Sequence, residues 1–286
     1  MSFIRKIIDL LLYGNFFIAF CAVALLLQTE WLIFGQLEWT YLTTFTFAAT
    51  LCLYAIHRIV GIQKVQAFNE KYRYHIIEKY QTHILIYAVA GVGIAAFLFF
   101  QLNWVNQLLI IVPSLLALGY VLPFFGRQRR LRDFHYIKIF LVALVWAFIT
   151  VTLPLVEGRQ FLVPTDALLF LERSVFIFAI TIPFDIRDLK VDQHIEVKTI
   201  PSAIGEQGAK RLAIGLLLAN SILTISLWKL EIYTLSAALG IGVTYLLTSL
   251  LINFSSKDRH DYFYTALMDG TMILQFLIVY LFTYHS

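Results

Sequence analysis

Long apolar runs alternate with short polar segments along the whole chain. Nine of these runs are about 20 residues long, the length of helix that crosses the hydrocarbon core of a bilayer. They predict membrane-spanning helices near 7–28, 39–60, 82–101, 104–125, 138–157, 167–185, 211–229, 233–254 and 262–283. The pattern therefore predicts an all-α fold, a polytopic membrane bundle of about nine transmembrane helices.

The composition agrees with a membrane protein and excludes an ordinary soluble enzyme. Of the 286 residues, 60% are hydrophobic and 14% are charged, and the mean hydropathy is +0.78. A soluble globular domain carries about 25% charged residues, which it needs to cover its surface. The residues outside the apolar runs leave no room for a separate soluble domain, so we expect a single integral-membrane domain over 1–286. Cys21 and Cys52 lie inside apolar runs, which predicts neither a disulfide nor a metal site.

Basic residues lie almost entirely on one side of the predicted bundle. All of the 22 Lys and Arg except Arg159, Arg173 and Lys229 fall in the N-terminal segment or in the even-numbered loops. By the positive-inside rule, this distribution places the N-terminus in the cytoplasm and, after nine helices, the C-terminus on the opposite side. The net charge of +4 then reflects orientation in a membrane rather than nucleic-acid binding. We expect this membrane to be the bacterial inner membrane.

Three longer polar segments share the cytoplasmic side, at 61–81, 126–138 and 186–210. Residues 63–81 have the composition of a short amphipathic helix that lies on the bundle or at the interface. The concentration of polar residues on one face indicates either that the chemistry lies there or only that cytoplasmic loops tolerate charge.

An acidic pattern follows the sixth predicted helix. Asp185, Asp188 and Asp192 are three and four residues apart, so on a helix they share one face. Like charges at the membrane boundary are unfavourable unless a cation offsets them, and Mg²⁺ typically bridges one or two carboxylates to a phosphate. The pattern predicts a Mg²⁺–diphosphate site, with Arg187 and Lys198 neutralising the remaining phosphate charge. The alternative is a solvated helix end whose charges are set by topology.

One motif here resembles the second aspartate-rich motif of the UbiA superfamily of intramembrane prenyltransferases: DIRDLKVD at 185–192, followed by KT at 198–199. The helix number, the cytoplasmic N-terminus and the final helix, which opens with LMDG at 267–270, are also similar. The resemblance implies transfer of a prenyl group from a prenyl diphosphate, with Mg²⁺ held by two aspartate motifs, to a lipophilic acceptor such as an aromatic quinone precursor. Apolar and aromatic walls would shield the allylic cation.

The first aspartate motif of that family, Asn-Asp-x-x-Asp after the second helix, is absent. The chain has His57 and Arg58 at that place, and no carboxylate occurs before Glu70. Arg58 is either a fixed positive charge that replaces one Mg²⁺ at the diphosphate or an anchor at a helix end. His57 either accepts a proton or binds phosphate, or is only the interfacial neighbour of Arg58.

The other candidates have weaker patterns. The resemblance suggests phosphate binding by Lys138 in a basic segment that also contains Arg127, Arg129, Arg130 and Arg132. For that segment we favour an orientation signal or an anionic-lipid patch over phosphate binding. Asn15 and Asp9 in the first helix, and Tyr54 one turn before Arg58, either face a cavity or pack. For Asp269, Gln275 and the Glu172–Arg173 pair we expect packing roles.

Two further functions stay open at this point. A cavity with one aspartate motif is also compatible with a terpene cyclase that acts on a prenyl diphosphate without an acceptor. A non-catalytic membrane protein that binds an isoprenoid or another lipid is the other possibility. A secondary transporter is disfavoured because the chain has no pair of broken helices in corresponding halves.

Overall fold

A computed structural model describes residues 3–63, 77–122, 130–194 and 196–284. In these ranges, nine segments are long and apolar enough to cross a membrane. The described residues form helices and no strands. The prediction of an all-α polytopic bundle is therefore confirmed.

The bundle consists of eleven α-helices in the described part of the chain. They are α1 (Phe3–Tyr13), α2 (Phe16–Phe34), α3 (Tyr41–Gln63), α4 (Gln81–Phe99), α5 (Trp104–Val121), α6 (Ile137–Ala147), α7 (Leu153–Arg159), α8 (Asp166–His194), α9 (Ile200–Lys229), α10 (Leu235–Phe254) and α11 (Asp269–Thr283). A π-helical turn, Phe148–Thr152, joins α6 to α7 into one span. A second π-helix, Phe263–Met268, leads into α11, and a 3₁₀ turn, Leu131–Asp133, precedes α6.

The first predicted helix, 7–28, is in fact two helices. The chain breaks after α1 at Gly14 and Asn15, where Asn15 has a left-handed φ of 68°. A Cβ on Gly14 would lie 2.2 Å from the carbonyl oxygen of Leu10, so the break needs glycine there. Hydropathy could not reveal the break because the residues on both sides of it are apolar.

The predicted polar loop over 186–210 is mostly helical. Helix α8 continues to His194 and α9 begins at Ile200, so only five residues separate them. Helix α8 extends beyond its apolar run because its polar end is packed: Val191 and Asp192 are buried there. Thr199 is the N-cap residue of α9, and its backbone N–H donates to Ser202 Oγ at 2.8 Å.

Two predicted features lie wholly or mostly outside the described residues. The amphipathic helix expected over 63–81 falls mainly on 64–76, and Arg127 and Arg129 of the basic segment fall in 123–129.

Helix α8 packs extensively against both α9 and α6. Helix α2 packs against α3 and α11. The buried core is apolar along these helices and includes Leu25, Phe176, Ile180 and Met268. Large apolar side chains such as Leu218 are exposed on the outer surface, as expected for helices that face lipid.

The Glu172–Arg173 pair packs in the interior, as expected. Tyr245 donates from its hydroxyl to Glu172 Oε1, and Asn220 Nδ2 donates to the same hydroxyl at 2.7 Å. Arg173 Nη1 donates to the carbonyl oxygen of Leu25 at 2.9 Å. This polar network joins α2, α8, α9 and α10 inside the membrane.

Candidate active site

A cavity of about 250 Å³ opens at one end of the bundle, where α3 and α8 end and α2 begins. Along α8 its lining extends from Ile177 to Asp192, which corresponds to about 22 Å of helix. The Asp192 end of this lining is charged, whereas the part nearer to Ile177 is uncharged and mostly apolar, with Ile180 and Phe184 beside Thr181. We call the end of the bundle that holds the charged groups the cavity end.

The aspartates of α8 do not face the cavity equally. Asp188 and Asp192 line it, whereas Asp185 is 2% exposed and lies outside the lining. Lys138, from the start of α6, bridges two of them: its Nζ is 2.7 Å from Asp185 Oδ1 and 3.0 Å from Asp192 Oδ2. Lys138 itself lines the cavity, so Asp185 contacts the cavity only through this lysine.

Arg187 and Asp188 form a two-pronged ion pair on the cavity wall. Arg187 Nε donates to Oδ1 and Nη2 to Oδ2 of Asp188, both at 3.0 Å. The guanidinium carbon also lies 5.1 Å from the centroid of the Phe184 ring and 5.4 Å from that of Tyr264. This fork geometry fixes both side chains where they line the cavity.

His57 and Arg58 line the same cavity from the end of α3. Arg58 Nη2 donates to the carbonyl oxygen of Leu12 at 3.0 Å, and its guanidinium carbon lies 5.5 Å from the centroid of the Tyr13 ring. Carbonyl groups in the last turn of a helix have no partner within the helix, so the break after α1 gives Arg58 its acceptor.

The segment before α6 adds two further arginines to the cavity. Arg132 Nη1 donates to His57 Nε2, and Arg132 lies 5.4 Å from the centroid of the Tyr120 ring. Burial works against the charge of Arg132, but Tyr120, Asp192 and nearby carboxylates outweigh it and raise the pKa of the guanidinium above its ordinary value. Arg132 therefore acts electrostatically on both the α3 and the α8 sides of the cavity.

Arg130 lies beside it and is 3% exposed. Its Nε donates to Asp133 Oδ2 at 3.1 Å, and its Nη2 donates to Asp133 Oδ1 at 2.9 Å. Its Nη1 is buried and has no hydrogen-bond partner among the described residues. Arg130 is one of the residues that line the cavity.

The remaining predicted residues divide between the cavity and other places. Tyr54 lines the cavity, and Trp146 Nε1 donates to its hydroxyl at 3.3 Å. Asn15 is buried outside the lining, and its side-chain amide has no hydrogen-bond partner among the described residues. Lys198 is exposed and lies outside the lining, and its backbone N–H donates to His135 Nδ1 at 3.0 Å.

Arg130, Arg132 and Asp269 line the cavity although no sharp sequence motif contains them. The sequence predicts a packing role for Asp269, but the structure places it in the cavity lining, at the first residue of α11. The available signal was a carboxylate inside a predicted span, which is costly unless it faces a polar space.

The sequence profile of the UbiA prenyltransferase family matches residues 75–277. The chain belongs to the UbiA prenyltransferase family. A search of curated protein sequences finds no match.

Solved structures of UbiA homologues share the fold over nearly the whole chain. A homologue from Archaeoglobus fulgidus bound to GPP and Mg²⁺ is 11% identical, with a TM-score of 0.70 and coverage of 96% of this chain and 99% of that one. The apo homologue from Aeropyrum pernix K1 is 14% identical, with a TM-score of 0.64 and coverage of 95% and 97%. A digeranylgeranylglyceryl phosphate synthase structure is 15% identical, with a TM-score of 0.59 and coverage of 97% and 98%.

The cavity of this UbiA family member fits one Mg²⁺. Asp188 and Asp192 are four residues apart on α8, and Mg²⁺ is usually held by one or two carboxylates together with substrate phosphates and water. In the described ranges, the cavity included, no group of three His, Cys, Asp or Glu side chains would hold a metal by itself, so a phosphate would have to supply further ligands. On the α3 side, His57 offers a ring nitrogen that is already hydrogen-bonded, and Arg58 is a cation. The described residues thus fit a single Mg²⁺ shared with a phosphate group, and not a second one.

Proposed function

We propose that this protein transfers a prenyl group from a prenyl diphosphate to a lipophilic acceptor, an aromatic quinone precursor being the expected type, with Mg²⁺. The observation that carries the proposal is a single cavity that is charged at the end of α8 and apolar further along the same helix. Membership of the UbiA prenyltransferase family and the GPP- and Mg²⁺-bound homologue support it.

The diphosphate binds at the charged end. Asp188 and Asp192 would hold the Mg²⁺, which when bound stabilises the negative charge of the leaving diphosphate. Lys138 and Arg187 supply further positive charge at the same wall, and Asp185 is a positioning residue that holds Lys138. In this assignment Asp185 contributes to the metal site through the lysine rather than as a ligand.

The prenyl chain binds along the apolar part of α8. When the bond between the prenyl carbon and the diphosphate oxygen breaks, the electron pair leaves with the diphosphate and the prenyl group becomes an allylic cation. Tyr54 and Trp146 line the cavity at ring centroids 6.5 Å apart in an edge-to-face arrangement. Their π-systems stabilise a cation, and Met272 and Ile180 exclude water that would capture it.

Alkylation of an aromatic acceptor releases a proton, and Asp269 is the group we assign to accept it. Its carboxylate lines the cavity from α11 and forms no ion pair among the described residues, whereas Asp188 and Asp192 each pair with a basic side chain. A carboxylate without such a partner keeps its lone pairs available for a proton.

We propose further that the whole chain, 1–286, is one integral-membrane domain of the bacterial inner membrane, with the cavity end towards the cytoplasm. The support for this orientation is the distribution of Lys and Arg, which are concentrated in segments at the cavity end.

The direct test is a turnover assay on the purified protein in nanodiscs. Prenyl diphosphates of several lengths are supplied with Mg²⁺ and a panel of aromatic hydroxy acids, and prenylated product and free diphosphate are measured. Asp188→Asn and Asp192→Asn should each lower the rate by at least about 100-fold, because an amide is a poor ligand for Mg²⁺. The exposed Asp258→Asn, outside the cavity, should leave the rate unchanged.

Full activity in both cavity variants would remove the metal assignment. A hydrocarbon or a terpene alcohol formed without any acceptor would instead identify a cyclase. Binding of the prenyl diphosphate without turnover would identify a non-catalytic isoprenoid-binding protein.

A further inference from the structure

Three arginines, Arg58, Arg130 and Arg132, line the cavity from α3 and from the segment before α6. We propose that they form a metal-independent diphosphate-binding site, called here the arginine subsite, which takes the place of a second Mg²⁺. The inference rests on the proposed function for the identity of the ligand. The protein then binds its prenyl diphosphate with one metal ion and a fixed cluster of guanidinium groups.

Each of the three guanidinium groups is held in place by a contact that is independent of any ligand. Arg58 donates to the carbonyl oxygen of Leu12, Arg132 donates to His57, and Arg130 is paired with Asp133. Positive charges that are already oriented need no reorganisation when an anion binds. The planar guanidinium group also matches the oxygen atoms of a phosphate in a two-pronged contact.

Arg130 provides the observation that points to a ligand. Its side chain is almost fully buried, yet Nη1 has no hydrogen-bond partner in the part of the chain that the structure describes. Buried donors in native proteins nearly always have an acceptor, and an exception needs an explanation. A phosphate oxygen in the cavity that Arg130 lines would be that acceptor.

The same wall is unsuited to a metal ion. An arginine side chain can only donate, so His57 accepts from Arg132 through the lone pair of Nε2. That nitrogen is therefore not available as a metal ligand. Arg58 and Arg132 would repel a divalent cation, and both would attract an anion.

The charges of the cavity are consistent with one metal ion. Five basic side chains and three acidic ones line it among the described residues; the basic ones are Arg58, Arg130, Arg132, Lys138 and Arg187, and the acidic ones are Asp188, Asp192 and Asp269. Lys138 also pairs with Asp185, and Arg130 pairs with Asp133, both of which lie outside the lining. The arginine subsite therefore adds its positive charge mainly through Arg58 and Arg132.

The test measures ligand binding and metal number rather than activity. The full chain in nanodiscs is titrated calorimetrically with the sulfur-bridged, slowly reacting analogue of geranyl diphosphate, in buffer with Mg²⁺ and in buffer with EDTA. We expect binding to persist in EDTA, weakened by about 10-fold, because the arginine subsite remains. In EDTA, Arg58→Ala and Arg132→Ala should each weaken binding by at least about 10-fold, whereas Arg58→Lys should retain part of it.

Two controls accompany these variants. Arg211→Ala removes an exposed arginine outside the cavity and should not change binding. Thermal unfolding of each variant verifies that the fold is intact. In parallel, Mn²⁺ replaces Mg²⁺ and is counted by electron paramagnetic resonance at saturating analogue, with about one ion expected per chain.

The outcomes separate the inference from the proposed function. Loss of all binding in EDTA together with two Mn²⁺ per chain would overturn the arginine subsite and leave prenyl transfer standing. Equal binding by Arg58→Ala, Arg132→Ala and Arg211→Ala would also overturn it. Arginine-dependent binding in EDTA without any prenylated product in the turnover assay would support the subsite and overturn the transfer reaction. No binding in either buffer would overturn both.

Discussion

Lys138 is the side chain on which the charged end of the cavity depends. It is 7% exposed and lies between Asp185 and Asp192, so it connects the start of α6 to the end of α8. A buried charge is tolerated only when it is paired, and here one ammonium group serves two carboxylates. Lys138 thus has a structural role in addition to the proposed contact with the diphosphate.

Lys138→Met should therefore destabilise the protein. We expect the free energy of unfolding to fall by about 3–5 kcal/mol, because two buried carboxylates lose their cation, and SDS titration in mixed micelles measures it. Adding Asp185→Asn to the same protein removes one of the unpaired charges and should recover part of the loss. A double variant no more stable than Lys138→Met would show that packing, and not charge, causes the effect.

Asp269→Asn tests the assignment of the proton acceptor. The amide has the same shape but cannot take a proton, so we expect the rate of prenyl transfer to fall by about 100-fold or more. Binding of the geranyl diphosphate analogue should change little, since Asp269 carries no diphosphate contact in the proposal. Equal losses in binding and in rate would instead assign Asp269 to the substrate-binding surface.

The sequence predicts that some of these residues lie together and does not predict the contacts of others. The spacing of Asp185, Asp188 and Asp192 predicts one helical face, but it does not say which of the three a lysine from α6 will cover. The contact between His57 and Arg132 joins positions 75 residues apart, so only the tertiary fold brings them together. The replacement of the first aspartate motif by His57 and Arg58 was visible because charges are so scarce in this chain.

The break between α1 and α2 is an element whose geometry reaches the cavity. It ends α1 at Tyr13, which leaves the Leu12 carbonyl as the acceptor for Arg58. Hydropathy does not predict the break, because the apolar run is continuous. A glycine followed by a residue in the left-handed conformation is a common way to end a helix, so the Gly-Asn pair was the available local signal.

Gly14→Ala should disturb the site through this element. The added Cβ would meet the carbonyl oxygen of Leu10 at 2.2 Å, so α1 must shift and the Leu12 carbonyl must move with it. We expect a destabilised protein and, in EDTA, weaker binding of the geranyl diphosphate analogue. Gly93→Ala is the matched control, because a Cβ there meets nothing within 4 Å. Equal behaviour of the two variants in thermal unfolding and in binding would contradict the role of the break.

Helix α8 extends beyond the predicted span, and the added turns carry residues of the site. The apolar run ends near residue 185, but the helix continues to His194 because its polar end is buried against α6. A window average of hydropathy detects the membrane-spanning part and not this extension. Asp188 and Asp192 are therefore on a continuous helix rather than on a loop, which fixes the separation of their carboxylates.

At the scale of the whole molecule, the number of spans follows from the sequence and the arrangement around the cavity does not. Nine apolar runs predict nine spans, and the described residues contain nine. Every charged group of the cavity comes from the end of a span or from a segment between spans, at one end of the bundle. That asymmetry matches the one-sided distribution of Lys and Arg in the sequence, and it makes the orientation in the membrane testable.

The orientation predicts which end of the bundle an impermeant reagent can reach. Lys190 is exposed at the cavity end of α8, and Lys229 is exposed at the opposite end of α9. We expect Lys229→Cys to react with a membrane-impermeant maleimide in intact spheroplasts, and Lys190→Cys to react only after lysis, because the basic segments stay in the cytoplasm. The native Cys21 and Cys52 are buried, so the unmodified chain provides an unlabelled background. Labelling of Lys190→Cys from outside would reverse the orientation and place the diphosphate site on the outer face.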